Sequence, residues 1–302
     1  MLDASDDNGN TVAIMVRRRS TDDFIDADSR FTTVDGLNVH YKRAGTGPVV
    51  LLLHGSGSSL HGFDSVAALL SSSFDVIRPD LPGFGLTGPR PGRDYRIQTY
   101  AKTVAAFLDS LGVRAASVVG NSLGGNVAWN FALDYAPRVR RLVLINATGY
   151  PDKSLPLGLR LARNPATRAL LRRVAPRSAT ERNLRSAVGP GSAIVDETMV
   201  DRVHAMLMRS GNRDAFIDFA NTDQIDRAGE IPRITAPTLI LRSGMIDGQH
   251  FARDIAGSRE SIYADGGHLL PEEAPEWVAA AIQDFLTADP LSGQGSQNGV
   301  RP

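Results

Sequence analysis

The chain has no cysteine among its 302 residues. That absence excludes disulfides, a thiolate nucleophile, Cys-ligated zinc and iron–sulfur clusters. Long apolar runs are missing as well. The longest, such as Val49 to Leu53, fall far short of the roughly 20 residues a membrane helix requires. Neither sign of charge is in excess, with 33 Lys and Arg against 33 Asp and Glu. Electrostatics therefore give no reason to expect nucleic acid or an anionic membrane as partner. The first residues include Asp3, Asp6 and Asp7 where a secretory signal would be basic, and no apolar segment follows them. A cytoplasmic protein is expected. What remains is an ordinary globular composition, 42% hydrophobic and 22% charged, long enough for one large domain or two modest ones.

No internal repeat is visible. Residues 1–29 are polar and charge-dense, with Arg17, Arg18 and Arg19 followed by Asp22, Asp23, Asp26 and Asp28, and read as a mobile arm. Residues 289–302 are rich in Gly, Ser, Gln and Asn and read as a disordered tail. Between these ends, strand, turn and helix alternate. Phe31–Val34 and Leu37–Tyr41 flank Asp35-Gly36, a strong hairpin signal. Val49–Leu53, Phe74–Ile77, Ala116–Val119 and Leu142–Ile145 are continuous apolar runs of the kind buried on both faces in a parallel sheet. Helical periods follow them, clearest in Tyr100–Leu111 and Val127–Tyr135, and Trp277–Leu286 makes a last helix after two more strands, Thr238–Leu241 and Ser261–Tyr263. This alternation predicts an α/β fold.

One block breaks the pattern. Residues 151–232 hold helical patterns and no convincing strand. Asn164-Pro165 predicts a capped helix start, Asp196 can cap a second helix with Met199, Val203, Met206 and Leu207 on one face, and Asn212 can start a third. A helical insertion between two strands is naturally a lid over the carboxyl edge of the sheet, where open α/β sheets bind ligands. The predicted division is a core of residues 30–150 and 233–288 with a cap of residues 151–232.

The run Ala116–Val119 leads into Gly120-Asn121-Ser122-Leu123-Gly124-Gly125 and then a helix. This is G-x-S-x-G between a strand and a helix, a turn that strains the Ser and raises its hydroxyl above the sheet. Gly120 and Gly124 are needed because a Cβ at either would collide across the turn. The helix N-terminus offers unpaired N–H groups and a positive dipole end to a developing anion.

Upstream, Val49–Leu53 ends in His54-Gly55-Ser56-Gly57, and Asp80-Leu81-Pro82-Gly83-Phe84-Gly85 follows the next strand. With G-x-S-x-G in this order, the chain resembles the α/β-hydrolase superfamily, serine-nucleophile branch, from about Phe31 to Leu286. The resemblance implies a mostly parallel eight-stranded sheet with helices on both faces and a helical lid after the sixth strand. It implies that the backbone N–H groups of Ser56 and Leu123 form an oxyanion hole, with His54 and Asp80 structural. The family order is Ser, acid, His. Gly244-Met245-Ile246-Asp247 fits its G-x-x-D and puts Asp247 at the acid position. Gly266-Gly267-His268 followed by Glu273-Ala274-Pro275 resembles its G-H-x-x-x-x-E-x-P and makes His268 the base. The link after Asp247 is shorter than usual for the family. The alternative acid position, after the sixth strand, is Asn146, which holds no charge, and Asp265 lies too close to His268 in sequence to turn back on it. Among the other histidines, His40, His61, His204 and His250 read as surface or packing residues, with His61 a candidate for the pocket wall.

These parts make acyl transfer to water. A Ser hydroxyl is a poor nucleophile until an imidazole takes its proton, and two N–H groups then hold the tetrahedral oxyanion. Ser at position 122 argues against the branches that use an Asp nucleophile. The expected function is a serine hydrolase of carboxylic esters or lactones of a small, largely apolar substrate. Asn121 before the nucleophile resembles the meta-cleavage-product hydrolases, which leaves carbon–carbon hydrolysis as an alternative, although those enzymes often carry Trp where Leu269 stands. A non-hydrolytic receptor or lyase on the same fold is the third reading. No cofactor or metal is implied. The partner is a small molecule, with neither nucleic acid nor membrane, and a homodimer is left open. Residues 153–185 carry nine Lys or Arg, including Arg160, Arg172, Arg177 and Arg185, with Glu181 the single acid. Solvated or paired helix faces are the favoured reading of this charge, and steering of an anionic substrate the sharper one. Met199, Met206, Met208, Phe216 and Phe219 suggest an apolar, adaptable cap interior.

Overall fold

The computed structural model describes residues 3–5, 11–13, 21–151 and 157–288. Eight strands form one sheet: β1 Arg30–Val34, β2 Leu37–Ala44, β3 Val49–Leu53, β4 Asp75–Pro79, β5 Ala116–Asn121, β6 Val139–Ile145, β7 Thr238–Ser243 and β8 Arg259–Tyr263. Their order is β8-β7-β6-β5-β3-β4-β2-β1. From β8 to β4 every pairing is parallel, and β2 joins antiparallel to both β4 and β1. The β1–β2 turn has Asp35 at φ 49° and Gly36 at φ 77°, the paired positive dihedrals that a two-residue hairpin needs.

Strand periodicity of two sorts the apolar runs onto two faces. In β3, Leu51 and Leu53 pack with Tyr100, Phe107, Trp129 and Phe131 of helices α2 (Ile97–Ser110) and α3 (Leu123–Asp134). Their neighbours Val50 and Leu52 pack on the opposite face with Val66 and Leu70 of α1 (Asp64–Leu70). Near the C-terminus, α11 (Pro275–Thr287) adds Val278, Ile282 and Phe285 to that face. A continuous hydrophobic run is thus what a strand sandwiched between two helical layers demands. Each fully buried Leu contributes about 1.5–3 kcal/mol relative to exposure.

Between β6 and β7 the described chain is helical: α4 Leu157–Arg163, α5 Pro165–Leu171, α6 Arg177–Ala187, α7 Glu197–Met208 and α8 Asn212–Asn221. Asn164 caps α5 by accepting from Ala166 N at 3.0 Å, and Asp196 caps α7 by accepting from Met199 N at 2.7 Å. Helix α8 starts at Asn212 as expected, though not through a side-chain cap. Gly211 at φ 84° is the cap, and the Asn212 side chain instead donates to Gly85 O and Met206 O, tying the insertion to the turn after β4. Helices α4 and α6 carried no clear sequence signal, because Arg, Glu and Asn dominate α6 and hide its two buried residues, Thr180 and Leu184. Two short helices, α9 (Phe251–Asp254) and α10 (Leu270–Glu273), follow β7 and β8.

Within the N-terminal arm, Asp3–Ser5 and Thr11–Ala13 pair antiparallel, and Thr21–Phe24 forms a 3-10 turn whose Phe24 is buried with Leu86 and Met206. Arg17–Arg19, residues 152–156 and residues 289–302 lie outside the described residues. Among the described residues no helix is long and apolar enough to cross a membrane.

Candidate active site

At the carboxyl end of β5 the backbone reverses sharply into α3, with Ser122 at φ 54° and ψ −112°. Glycine makes this possible on both sides. A Cβ on Gly120 would sit 2.2 Å from Gly124 O, and one on Gly124 would sit 2.0 Å from Leu53 O. Ser122 is buried but for 3% of its surface, and its hydroxyl and His268 Nε2 share a hydrogen bond of 2.7 Å. Neither the Ser56 nor the Leu123 backbone N–H donates to another group among the described residues.

The loop carrying His268 is held by several elements at once. The Asn121 side chain donates to His268 O at 3.3 Å and Ile145 O at 3.2 Å. Asn146, fully buried at φ 43°, donates to Gly267 O at 3.1 Å and accepts from Ser243 N at 2.9 Å. The Ser243 hydroxyl donates to Gly266 O. Glu273 uses one oxygen for Gly267 N at 2.8 Å and the other for Gly189 N at 2.6 Å, and the His268 N–H itself donates to Ala187 O at 2.6 Å. Two contacts thus join the histidine loop to the end of α6. Asn146, Ser243 and Glu273 escaped sequence reasoning as site residues because their bonds go to backbone atoms of distant segments. The signal available for Glu273 was its place in the motif after His268.

Asp247 stands apart. It is exposed on the loop after β7, and among the described residues its carboxylate makes no hydrogen bond to the His268 ring. Gly248 at φ 63° and the start of α9 at Phe251 turn the chain at once after it. The preceding residue, Ile246, does line the cavity that His268 lines. Asp265 is exposed as well.

His54 and Asp80 hold loops. His54 Nδ1–H donates to Gly55 O at 2.8 Å while its Nε2 accepts from Leu81 N at 2.9 Å. Full burial pushes its pKa below the usual imidazole value, so the ring is neutral. Asp80 accepts from Leu60 N, Leu86 N and His40 Nδ1, each at 2.7 Å. Burial alone would raise its pKa, but the His40 and Leu60 bonds prevail and hold the carboxyl below the usual range. His61 bonds Asp64 at 2.8 Å, and Gly62 and Phe63, not His61, line the cavity.

Ser122 opens on a cavity of about 430 Å³ walled by Leu159, Leu171, Phe216 and Ile217 from the insertion. A second cavity, of about 330 Å³, meets the first at Ser56 and Ser122 and is lined by Asn126, Asn130, Thr148 and Gln224 beside Trp129 and Phe219. The methionines are not part of either wall among the described residues. Met199 packs with Leu184 and Val200, Met206 packs with Phe24 and Leu86, and Met208 is exposed. On α7 it is Val203 and Leu207 that face the cavity. Three arginines of the basic stretch are matched by carboxylates of the insertion. Arg172 pairs with Asp214 and Asp218, Arg177 with Glu197 and Asp201, and Arg185 with Glu181. Arg202 reaches Glu272 at 2.5 Å, and burial nevertheless pushes the Glu272 carboxyl above its usual range. Among the described residues no group of three or more His, Asp or Glu is gathered as a metal site.

The sequence model of the alpha/beta hydrolase fold family matches residues 48–275. The chain belongs to that family. Relatives extend over most of it. It is 30% identical over 264 residues to the uncharacterized hydrolase YugF of Bacillus subtilis, an overlap of 84% of this chain and 96% of that one. It is 33% identical over 232 residues to the 2-hydroxy-6-oxononadienedioate/2-hydroxy-6-oxononatrienedioate hydrolase of Burkholderia vietnamiensis, covering 71% and 78% of the two chains. Among solved structures, a thermophilic esterase from Thermogutta terrifontis superposes with a TM-score of 0.72 at 27% identity, over 86% of this chain and 98% of that one. The protein is a hydrolase of the α/β fold.

Proposed function

We propose that this hydrolase cleaves carboxylic esters or lactones of a small, largely apolar substrate through an acyl-enzyme on Ser122. The observation that carries the reading is the 2.7 Å bond from the Ser122 hydroxyl to His268 Nε2 at a strained turn facing an apolar cavity. In this mechanism His268 takes the Ser122 proton as Oγ attacks the carbonyl carbon. The tetrahedral oxyanion is held by the N–H groups of Ser56 and Leu123. His268 then gives the proton to the leaving alkoxide, and water repeats the sequence to free the acid. Asp247 is our assignment for the carboxylate that orients His268, and the assignment rests on position, one residue beyond the cavity wall formed by Ile246. The helices of residues 157–221 act as the cap, and their apolar walls suit an apolar acyl or alcohol group.

A second reading, hydrolysis of a carbon–carbon bond in a diketo acid, draws on the relative named for 2-hydroxy-6-oxononadienedioate and on Asn121 beside the nucleophile. One assay separates the two: p-nitrophenyl esters of graded length, lactones and a meta-cleavage diketo acid, each with wild type and Ser122→Ala. Ester or lactone turnover that falls by about four orders of magnitude in Ser122→Ala is expected. Full activity in that variant would remove Ser122 as nucleophile, and turnover of the diketo acid alone would favour the second reading.

A further inference from the structure

The cavity-facing stripe of α8 contains a charge with no internal purpose. Arg213, Phe216 and Ile217, spaced three and four residues apart, all line the larger cavity. The opposite face of the same helix carries Asp214 and Asp218, which pair with Arg172 and Arg93. Arg213 belongs to neither network. Its Nε is buried and lacks a hydrogen-bond partner among the described residues, and no carboxylate among them lies within 4.0 Å of it. Helix electrostatics do not explain it either, since a cation in the first turn opposes the helix dipole. Glu272, the one carboxylate among the described residues lining this cavity, is already bonded to Arg202. Arg182 also lines the cavity but is exposed to solvent. A guanidinium on a cavity wall, with its Nε buried and without a partner among the described residues, is a receptor for a planar anion.

We propose that Arg213 binds a carboxylate on the substrate, so that the preferred esters or lactones have an acyl chain ending in an anionic carboxylate, separated by an apolar spacer from the carbonyl attacked. The inference rests on the hydrolase reading of Ser122 and His268. Phe216 and Ile217 would cover the spacer, and the guanidinium would hold the far end.

The test compares mono-p-nitrophenyl adipate with p-nitrophenyl hexanoate, which share a leaving group and a six-carbon acyl chain and differ in the terminal charge. For wild type, kcat/KM should favour the anionic ester by at least about tenfold, the scale of one charge-assisted hydrogen bond. In Arg213→Met that ratio should fall to about one or below, and in Arg213→Lys part of it should return. A neutral-ester preference in wild type, or an unchanged ratio in Arg213→Met, overturns the proposal. Thermal melts by circular dichroism establish that each variant is folded, and Arg213→Gln replaces Arg213→Met if the latter is not. A binding measurement reads Arg213 without turnover. Calorimetry on Ser122→Ala should show monomethyl adipate binding at least about tenfold more tightly than methyl hexanoate, with the difference abolished in Ser122→Ala/Arg213→Met. Equal binding of the two esters overturns the proposal by itself. Turnover that survives in Ser122→Ala would instead bring down the nucleophile assignment, so the two failures are told apart.

Discussion

Ser122 holds a backbone conformation that costs a non-glycine residue on the order of 1–3 kcal/mol, and its neighbours impose it. The Ser122 N–H donates to Ile145 O at 3.0 Å, and the Ser122 carbonyl accepts from Asn126 N at 3.0 Å and Thr148 N at 3.2 Å. Strain thus aims the hydroxyl at His268, and the hydrogen bond between them has a measurable dependence on a third group. An orienting carboxylate fixes the imidazole tautomer and offsets the charge that forms on the ring. If Asp247 fills that role, Asp247→Asn should lower kcat by roughly three to four orders of magnitude with a modest change in KM. Asp265→Asn should be nearly silent. Steady-state kinetics on the two variants decide the matter: a loss below about tenfold in Asp247→Asn, with a collapse in another carboxylate variant, moves the acid elsewhere.

Among the elements, the β5–α3 turn is the least tolerant of change. A Cβ on Gly124 would meet the Leu53 carbonyl at 2.0 Å, backbone against backbone. Gly124→Ala must therefore push β3 and α3 apart, and we expect a loss of at least about 3 kcal/mol in urea unfolding. Gly92→Ala, whose Cβ would meet nothing within 4 Å, should change stability by less than about 0.5 kcal/mol. Equal midpoints for the two would refute the steric account. This turn was legible in the sequence because its glycines answer a local collision. The sheet was legible because burial on both faces leaves runs such as Val49–Leu53. Asn146 was not: its work is to bond Gly267 and Ser243, more than 90 residues away, and no local pattern records that. Of the methionines expected in an apolar interior, Met199 and Met206 are buried and Met208 is exposed, and the partners of the buried pair, Leu184 for one and Phe24 and Leu86 for the other, come from segments that helical spacing does not name. The arginines of the insertion likewise gave a net charge without naming their partners.

For the whole molecule, buried His54 sets a limit on acid tolerance. In the unfolded chain its imidazole gains a proton as pH falls through about 6.5. In the folded protein burial resists that proton, so acidification favours unfolding. The stabilisation is complete above about pH 6.5 and declines below it, by up to about 1.4 kcal/mol for each pH unit. Urea midpoints at pH 7.5, 6.5 and 5.5 should fall in wild type, and the slope should be shallower in His54→Ala. Identical slopes would mean that another group governs the response. The contact between the histidine loop and the end of α6 has a different kind of consequence. Glu273 spends one oxygen on each side of that junction, and the His268 N–H ends on Ala187. Core and insertion are therefore not interchangeable parts. A chimera that takes its cap from another member of the family inherits a misplaced His268 unless residues 187–189 travel with the recipient core, and the practical seam for recombination lies inside the insertion rather than at its borders.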